Sequence, residues 1–459
     1  MIALGRLMSG SPGARTTFVK GATMVPQRLP RRSFLGLMGA GVGAGLLGTS
    51  ACGTDSTSGA GGGRMQVWVI QEEAQNVAHR GALDRFNAKS DVEATLVSTS
   101  NDGYRDKLHV SMGTSDAPDV FYNWGGGSIR AYARDDLLVD LTPYFDKDPE
   151  WKNQFLPTVL DAGTIDGKYY GVPARGMQPI ILFYNKKVFS QLGLQPPRTW
   201  AELLTVVDKV KAAGIIPFAL AGGDSWTELV WPEYLLDRIG GPRVFERIAA
   251  GEQGAWRDPA VKTTIDMIRD LVDRGGFGDS FASVRWEGAG ASTLIAQGRA
   301  AMHLMGSWEY TNQVTDQPEY AANDLGFTDF PTVEGGAGDP KAIVGNPTNY
   351  FSITKASDNV DAAVEFLKSE MASRAYVDEW LAAGDVPAVT NLEEHMDKAT
   401  DPKFAEVVYG MVNDAPSFQL SWDQAIERNL AQPMLDALAK VFLGELDAEG
   451  FIAANEDAA

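Results

Sequence analysis

Three apolar, β-branched stretches separated by helical ones constrain this chain more than any other feature. Met65–Ile70 reads MQVWVI, a continuous apolar run that suits a strand buried on both faces. QEEAQN ends it, and an amphipathic helix follows through Ala82, Leu83 and Phe86. A second strand, VEATLVST, gives way to NDGYRDKLHVSM, a loop running into a helix, and APDVFYNWGGG supplies the third strand. This βαβαβ order implies a parallel sheet with helices on its faces, because parallel neighbours need a crossover connection. In such sheets ligands gather beyond the carboxyl ends of the strands. The strand exits Gln71–Glu73, Asn101–Tyr104 and Asn123–Gly127 are therefore expected along one rim. The triple glycine after Trp124 lacks the GxGxxG spacing and the following Lys-Ser/Thr of nucleotide sites, so it serves either close backbone approach to a ligand or a turn.

A second α/β unit starts near Lys168, with strands IILFYN and PFAL and a helix for which Thr199 is the expected N-cap. Further along, DLGFTDFPTV and YFSITKAS read as strands, VDAAVEFLKSEMASRAYVDEW as one helix, and Gln424–Leu443 as another. With 459 residues, 44% of them hydrophobic, the chain is long enough for more than one core. No repeat of fixed period is found. Two α/β lobes account for the pattern.

Residues 1–51 hold six basic side chains and no acid, which leaves 34 basic against 60 acidic residues in the rest. So acidic a body is repelled by phosphate backbones and anionic lipid, and nucleic-acid binding is not expected of it. Arg31 and Arg32 precede SFLGLMGAGVGAGLLGTSAC, a weakly apolar run that is too glycine-rich for a good spanning helix and fits an export signal. RRSFL resembles a twin-arginine signal. TSAC resembles a lipoprotein cleavage site, with Thr49 where Leu is usual, and makes Cys52 the expected lipidated residue. Cys52 is the sole cysteine, so no internal disulfide is possible. GTDSTSGAGGGR would then be the flexible tether. Residues 1–23 read as neither signal nor domain, and Met24 is a plausible start.

In their order along the chain, three segments resemble the extracellular solute-binding proteins of ABC sugar importers, the carbohydrate-binding group that includes maltose-binding protein. They are APDVFYNWGGGSIRAYARDDLLVDLTPYF, DGKYYGVPARGMQPIILFYNKKVFSQLGLQPPRTWAELL and AQGRAAMHLMGSWE. The resemblance runs from Met65 onward. It implies an α/β, two-lobed periplasmic-binding-protein-like fold, each lobe a mainly parallel sheet flanked by helices, with the ligand cleft between the lobes and closure by hinge motion. On that analogy residues 1–51 are the export signal, 52–64 the lipid-anchor linker, 65–174 with 325–372 the N-terminal lobe, and 175–324 with 373–459 the C-terminal lobe. The first crossover falls near Gly171–Gly176.

A neutral oligosaccharide offers apolar C–H faces, which suit aromatic rings, and hydroxyls, which suit carboxylates and amides. Acids and amides stand beside aromatics at Asn123-Trp124, Asp224-Ser225-Trp226, Trp286-Glu287, Trp308-Glu309, Asn349-Tyr350 and Ser421-Trp422-Asp423. Trp124, Trp226, Trp308 and Trp422 lie in or beside segments resembling ligand-contacting loops. With Trp286, Tyr350, Glu72, Asn101, Asn123, Glu309 and Asp423 they are the candidate ligand-binding residues. For each tryptophan the competing reading is a core side chain, and for each polar residue a solvated surface or a cap. Trp68, Trp151, Trp200, Trp231, Trp256 and Trp380 are expected in the core. Arg175, just past the first crossover, is a candidate hinge ion-pair partner.

The expected partners are a neutral oligosaccharide and the importer's permease subunits. The protein is expected to be a monomer at the outer face of the cytoplasmic membrane, touching it only through the lipid. The tail SFQLSWDQA points to a xylo- or cello-oligosaccharide as first choice. A secreted glycoside hydrolase is the rival from another class, needing two carboxylates across one glycosidic bond, for which Glu72 and Glu309 are the pair to consider. A binder of peptide or polyamine in the same fold is the third reading. His79, His109, His303 and His395 are far apart in sequence and no cluster has ligand spacing, so neither metal nor cofactor is expected.

Overall fold

A computed structural model describes residues 63–458; the export segment, Cys52 and the linker as far as residue 62 lie outside the described residues. Strands in chain order are β1 (Arg64–Ile70), β2 (Glu93–Thr99), β3 (Val120–Asn123), the hairpin β4 (Thr164–Ile165) and β5 (Lys168–Tyr169), β6 (Val172–Pro173), β7 (Gln178–Asn185), β8 (Ile216–Ala219), β9 (Ala300–Gly306), β10 (Leu325–Thr328), β11 (Ile343–Asn346), β12 (Tyr350–Ile353) and β13 (Phe418–Leu420). The first sheet runs β2-β1-β3-β12-β6, the second β13-β11-β7-β9-β8 with β10 also on β7.

The apolar run of β1 does what its composition dictates. Met65, Val67, Trp68, Val69 and Ile70 are all buried, and β1 pairs in parallel with β2 and β3. The fold is α/β and two-lobed. Its sheets are mixed rather than mainly parallel, however: β12 joins β3 and β6 antiparallel, and β7 meets β9, β10 and β11 antiparallel. The cause is the crossing itself, which delivers strands into a sheet from the opposite end.

The chain passes from the first sheet to the second between β6 and β7. Two other boundaries move from where the resemblance placed them. β10 pairs with β7 from Leu325↔Asn185 to Thr328↔Leu182, so residues 325–346 stay in the second lobe, and the return comes between Asn346 and Tyr350. Residues 373–390 stay in the first lobe. Trp380, wholly buried, meets His79 edge-on at 5.4 Å, and Arg85 bridges Glu370 and Glu379 at 2.8 and 2.7 Å. Only with the helix Pro402–Asp414 does the chain reach the second lobe, where Phe404 stacks on Tyr310 at 4.0 Å.

Local signals behave as their chemistry requires. Thr199 caps the helix Trp200–Ala212 by accepting from Glu202 N at 3.2 Å. The helix expected over 360–380 is two, Val360–Glu370 and Arg374–Ala382, because Ser373 turns extended and caps the second by accepting from Tyr376 N. Trp68, Trp151, Trp200, Trp231, Trp256 and Trp380 are all buried. Among the described residues no helix is long and apolar enough to cross a membrane.

Candidate ligand-binding cleft

A cleft opens between the sheets, walled by strand exits of both lobes and floored by the crossing segments. From the first lobe come Glu72 after β1, Asn101 and Arg105 on the helix after β2, and Tyr122 and Trp124 at the end of β3. The three exits of the βαβαβ unit thus share one rim. The second lobe brings Trp226 and Glu233 on the helix Trp226–Gly240, Trp286, Trp308 after β9, and Ser421, Asp423 and Gln424 after β13. Gln178, Asn346 and Asn349 form the floor.

Trp226, Trp286 and Trp308 make one aromatic bay. The ring centroids of Trp226 and Trp286 are 5.3 Å apart at 74°, and those of Trp226 and Trp308 6.2 Å apart at 50°. Asp224 builds this bay: its carboxylate accepts from Trp286 N at 2.7 Å and pairs with Arg285 at 3.0 Å, tying the Trp286 loop to the turn that carries Trp226. Trp308 is 9% exposed, so it is a core residue of the second lobe and a cleft wall at once. Gly306 permits this placement, since a Cβ there would fall 2.0 Å from the Trp308 ring.

Trp124 serves differently. The Arg105 guanidinium lies 4.3 Å from its ring centroid, while Tyr104 and Tyr122 meet it edge-on. Arg105 also reaches across the cleft to Asp423 at 3.2 Å. A second interlobe pair, Arg134 with Glu427 at 2.9 Å, lies nearby. The triple glycine is both a turn and a close approach, and what approaches is the other lobe. Gly125 and Gly126 have φ of 72° and 53°, and a Cβ on Gly127 would sit 2.4 Å from the Ile426 carbonyl oxygen.

Charges in the cleft are compensated. Glu72 pairs with Arg175 at 2.6 Å, and Arg175 also binds Asp385 at 2.9 Å and accepts no competition from water at 5% exposure. Burial pulls the Arg175 pKa down, but Glu72, Tyr122 and Asp385 outweigh it and hold it above its ordinary value. Arg175 is thus an ion-paired residue of the crossing. Burial pushes the Glu233 carboxyl up to about 8, assisted by the neighbouring Asp423 and opposed by the hydrogen bonds from Trp422 N and Ser421 Oγ.

Of the residues singled out in the sequence, Trp124, Trp226, Trp286, Trp308, Glu72, Asn101 and Asp423 line the cleft. Trp422, Asn123, Glu309 and Tyr350 do not. Trp422 is 1% exposed and stacks on Phe245 at 4.9 Å in the core of the second lobe, because the helix Trp422–Ala425 turns its first residue inward and its second toward the cleft. Glu309, wholly buried, accepts from Ser292 Oγ at 2.6 Å and Gln313 Nε2 at 2.7 Å and contacts His303 at 3.4 Å. It locks the helix Trp308–Asp316 in place and cannot face Glu72 across a glycosidic bond. Asn123 is spent on the sheet, donating to Ser352 Oγ at 2.9 Å and accepting from Gly125 N. Tyr350 is buried with its hydroxyl on the Val159 carbonyl.

Sequence reasoning missed Arg105, Tyr122, Gln178, Glu233, Asn346, Ser421 and Gln424 as cleft residues. Ser421 stood in the stretch Ser421-Trp422-Asp423 without being singled out, and Glu233 carried a signal of its own, a carboxylate inside the apolar helical run LVWPEYLL. Among the described residues no group of His, Cys, Asp or Glu is arranged to hold a metal.

Two lobes on crossing strands, a cleft floored by the crossings, and facing walls of tryptophan and amide define a solute-binding protein of the hinged two-lobe class. The sequence profile described as bacterial extracellular solute-binding protein matches residues 71–372. The chain belongs to that family, which is one of binding proteins and not of enzymes. An uncharacterized ABC transporter extracellular-binding protein of Pyrococcus horikoshii is 28% identical over 268 residues, 57% of each chain, so the match spans less than two thirds of that relative. The multiple sugar-binding protein of Streptococcus mutans is 25% identical over 352 residues, 72% of this chain and 80% of that one. Among solved structures, one from work on xylan utilization by the thermophilic bacterium Caldanaerobius polysaccharolyticus superposes with a TM-score of 0.79 at 25% identity, covering 86% of this chain and 99% of the other. A chitin oligosaccharide binding protein superposes with a TM-score of 0.77 at 22% identity over 86% and 98% of the two chains, which is a likeness of fold.

Proposed function

We propose that the protein captures a neutral oligosaccharide in the cleft and delivers it to the permease subunits of an ABC importer. It acts at the outer face of the cytoplasmic membrane, held there by a lipid on Cys52. The observation that carries this reading is the aromatic bay of Trp226, Trp286 and Trp308 set in a cleft whose charges are all compensated. Stacking on such rings contributes about 0.5 to 1.5 kcal/mol per platform beyond burial. A polyamine calls for unpaired carboxylates, and in the closed arrangement Glu72 is paired with Arg175 and Asp423 with Arg105. A xylo- or cello-oligosaccharide is the first choice of sugar, in keeping with the xylan context of one structural neighbour.

In mechanism, each lobe presents half a site in an open state, and ligand contacts spanning both halves stabilise the closed one. Arg105 to Asp423 is a bond that exists only when the lobes meet. The test is to follow tryptophan fluorescence of the purified protein against a panel of neutral oligosaccharides while assaying the sugar. Saturable quenching with the sugar recovered intact is expected; release of many products per protein would contradict it.

A further inference from the structure

We propose that Gln178, Asn346 and Asn349 form a polar floor that reads two neighbouring hydroxyls on one ring of the ligand, which makes them specificity-determining residues of the cleft. The inference rests on the oligosaccharide reading above. What carries it is an imbalance of hydrogen bonding. All three side chains line the cleft and are at most 4% exposed, yet Gln178 Nε2, Asn346 Oδ1 and both amide atoms of Asn349 meet no protein partner. Folded proteins pair the great majority of such atoms, and a patch of unpaired ones in a cleft is what a polar ligand would complete.

The backbone holds these amides firmly. Asn346 and Gln178 are register partners where β11 meets β7. The Asn349 carbonyl accepts from Ala174 N at 2.8 Å, and Thr348 Oγ1 donates to the Arg175 carbonyl at 2.6 Å, binding one crossing segment to the other. The single contact within the set, Asn346 Nδ2 to Gln178 Oε1 at 3.3 Å, uses one donor and one acceptor and leaves one of each. Turning both amides over exchanges the atoms but leaves the same remainder, so the chemistry of the floor does not depend on which way they point. Asn349 adds a donor and an acceptor on one planar fork, the arrangement with which asparagine reads the edge of adenine.

A hydroxyl donates and accepts, so neighbouring hydroxyls satisfy such a fork in either sense. A carboxylate on the ring only accepts and would face the acceptors of Asn346 and Asn349 unmatched. An ammonium only donates and would leave the donors of Gln178 and Asn349 unmatched. The floor therefore selects a neutral ring.

The test uses calorimetry with xylobiose, cellobiose, maltose and chitobiose, then the monodeoxy analogues of whichever sugar binds the wild-type protein, against Asn349→Ala and the isosteric Asn349→Asp. Melting temperatures of both variants establish that they fold. Loss of the fork is expected to weaken the parent sugar about 10- to 100-fold, the cost of leaving one or two buried groups unmatched. At least one monodeoxy analogue should bind wild type and Asn349→Ala equally well, since it lacks the hydroxyl that the fork reads. Unchanged affinity in both variants, or the same loss for the parent and every analogue, would overturn the floor while leaving the sugar reading intact. Wild-type protein that binds none of the four sugars would overturn the sugar reading, and the floor with it.

Discussion

Trp226 and Trp422 are both tryptophans beside acids just past a strand of the second lobe, and their fates differ because of what surrounds the ring. Trp226 is half-buried in the bay, whereas Trp422 is sandwiched against Phe245 and meets Trp256 edge-on at 6.1 Å. Trp422→Ala should therefore cost about 3 to 5 kcal/mol of stability in a denaturant melt. Trp226→Ala should cost much less stability but weaken sugar affinity by about 1 kcal/mol or more in a fluorescence titration. The reverse pattern would exchange their roles. Gly306→Ala offers a finer test, because the added Cβ forces the Trp308 ring aside without removing it. Lower affinity is expected with the three other cleft tryptophans untouched. The sequence made the acid-aromatic pairs visible, but it could not tell which member of each pair turns outward. In Trp308-Glu309 the tryptophan reaches the cleft and the acid is buried; in Trp422-Asp423 the order inverts. That choice is made by helix phase and packing, which a pairwise reading does not contain.

At the scale of elements, the helix Trp226–Gly240 lines the cleft with Trp226, Leu229, Val230 and Glu233. Glu233 also receives the Trp422 N–H at 2.8 Å and so caps the short helix that presents Asp423. Its pKa is raised by burial from 4.5 to about 8, so between those values the folded state holds a proton that the unfolded chain has released. Stability attributable to this group therefore falls as pH rises from about 4.5 to about 8. Glu233→Gln should remove that slope, gaining roughly 2 to 4 kcal/mol on the wild type between pH 5 and pH 8 in urea melts. Parallel curves for the two proteins would contradict it. Elements with strong local signals were legible in the chain: the buried strand β1, the helix capped by Thr199, the rim of three strand exits. The boundaries at residues 325 and 373 were not, because the sheet a short strand joins is decided by contacts across more than a hundred residues, as in Leu325 with Asn185.

For the molecule as a whole, the interlobe bonds lie on the side where the triple glycine lets the backbones meet, and the crossings lie beneath. Arg134 with Glu427 is exposed and contributes little. Arg105 with Asp423 is better shielded on the aspartate side, and Arg105 also packs on Trp124. Arg105→Ala should shift the unliganded protein toward the open form, seen as a larger radius of gyration by small-angle scattering, and weaken ligand binding about tenfold through the lower closed population. An unchanged radius and affinity would remove Arg105 from closure. Function class was readable from the order of segments, while the compensated charge of the cleft became visible only once Arg105, Arg175 and Glu233, far apart in sequence, were brought together. The most direct measurement is isothermal titration calorimetry of the purified protein against xylobiose, cellobiose, maltose and chitobiose, with the sugar analysed afterwards. One-to-one saturable binding of at least one neutral sugar, recovered uncleaved, is the result the structure predicts; no binding to any of them, or a sugar consumed during the titration, would contradict it.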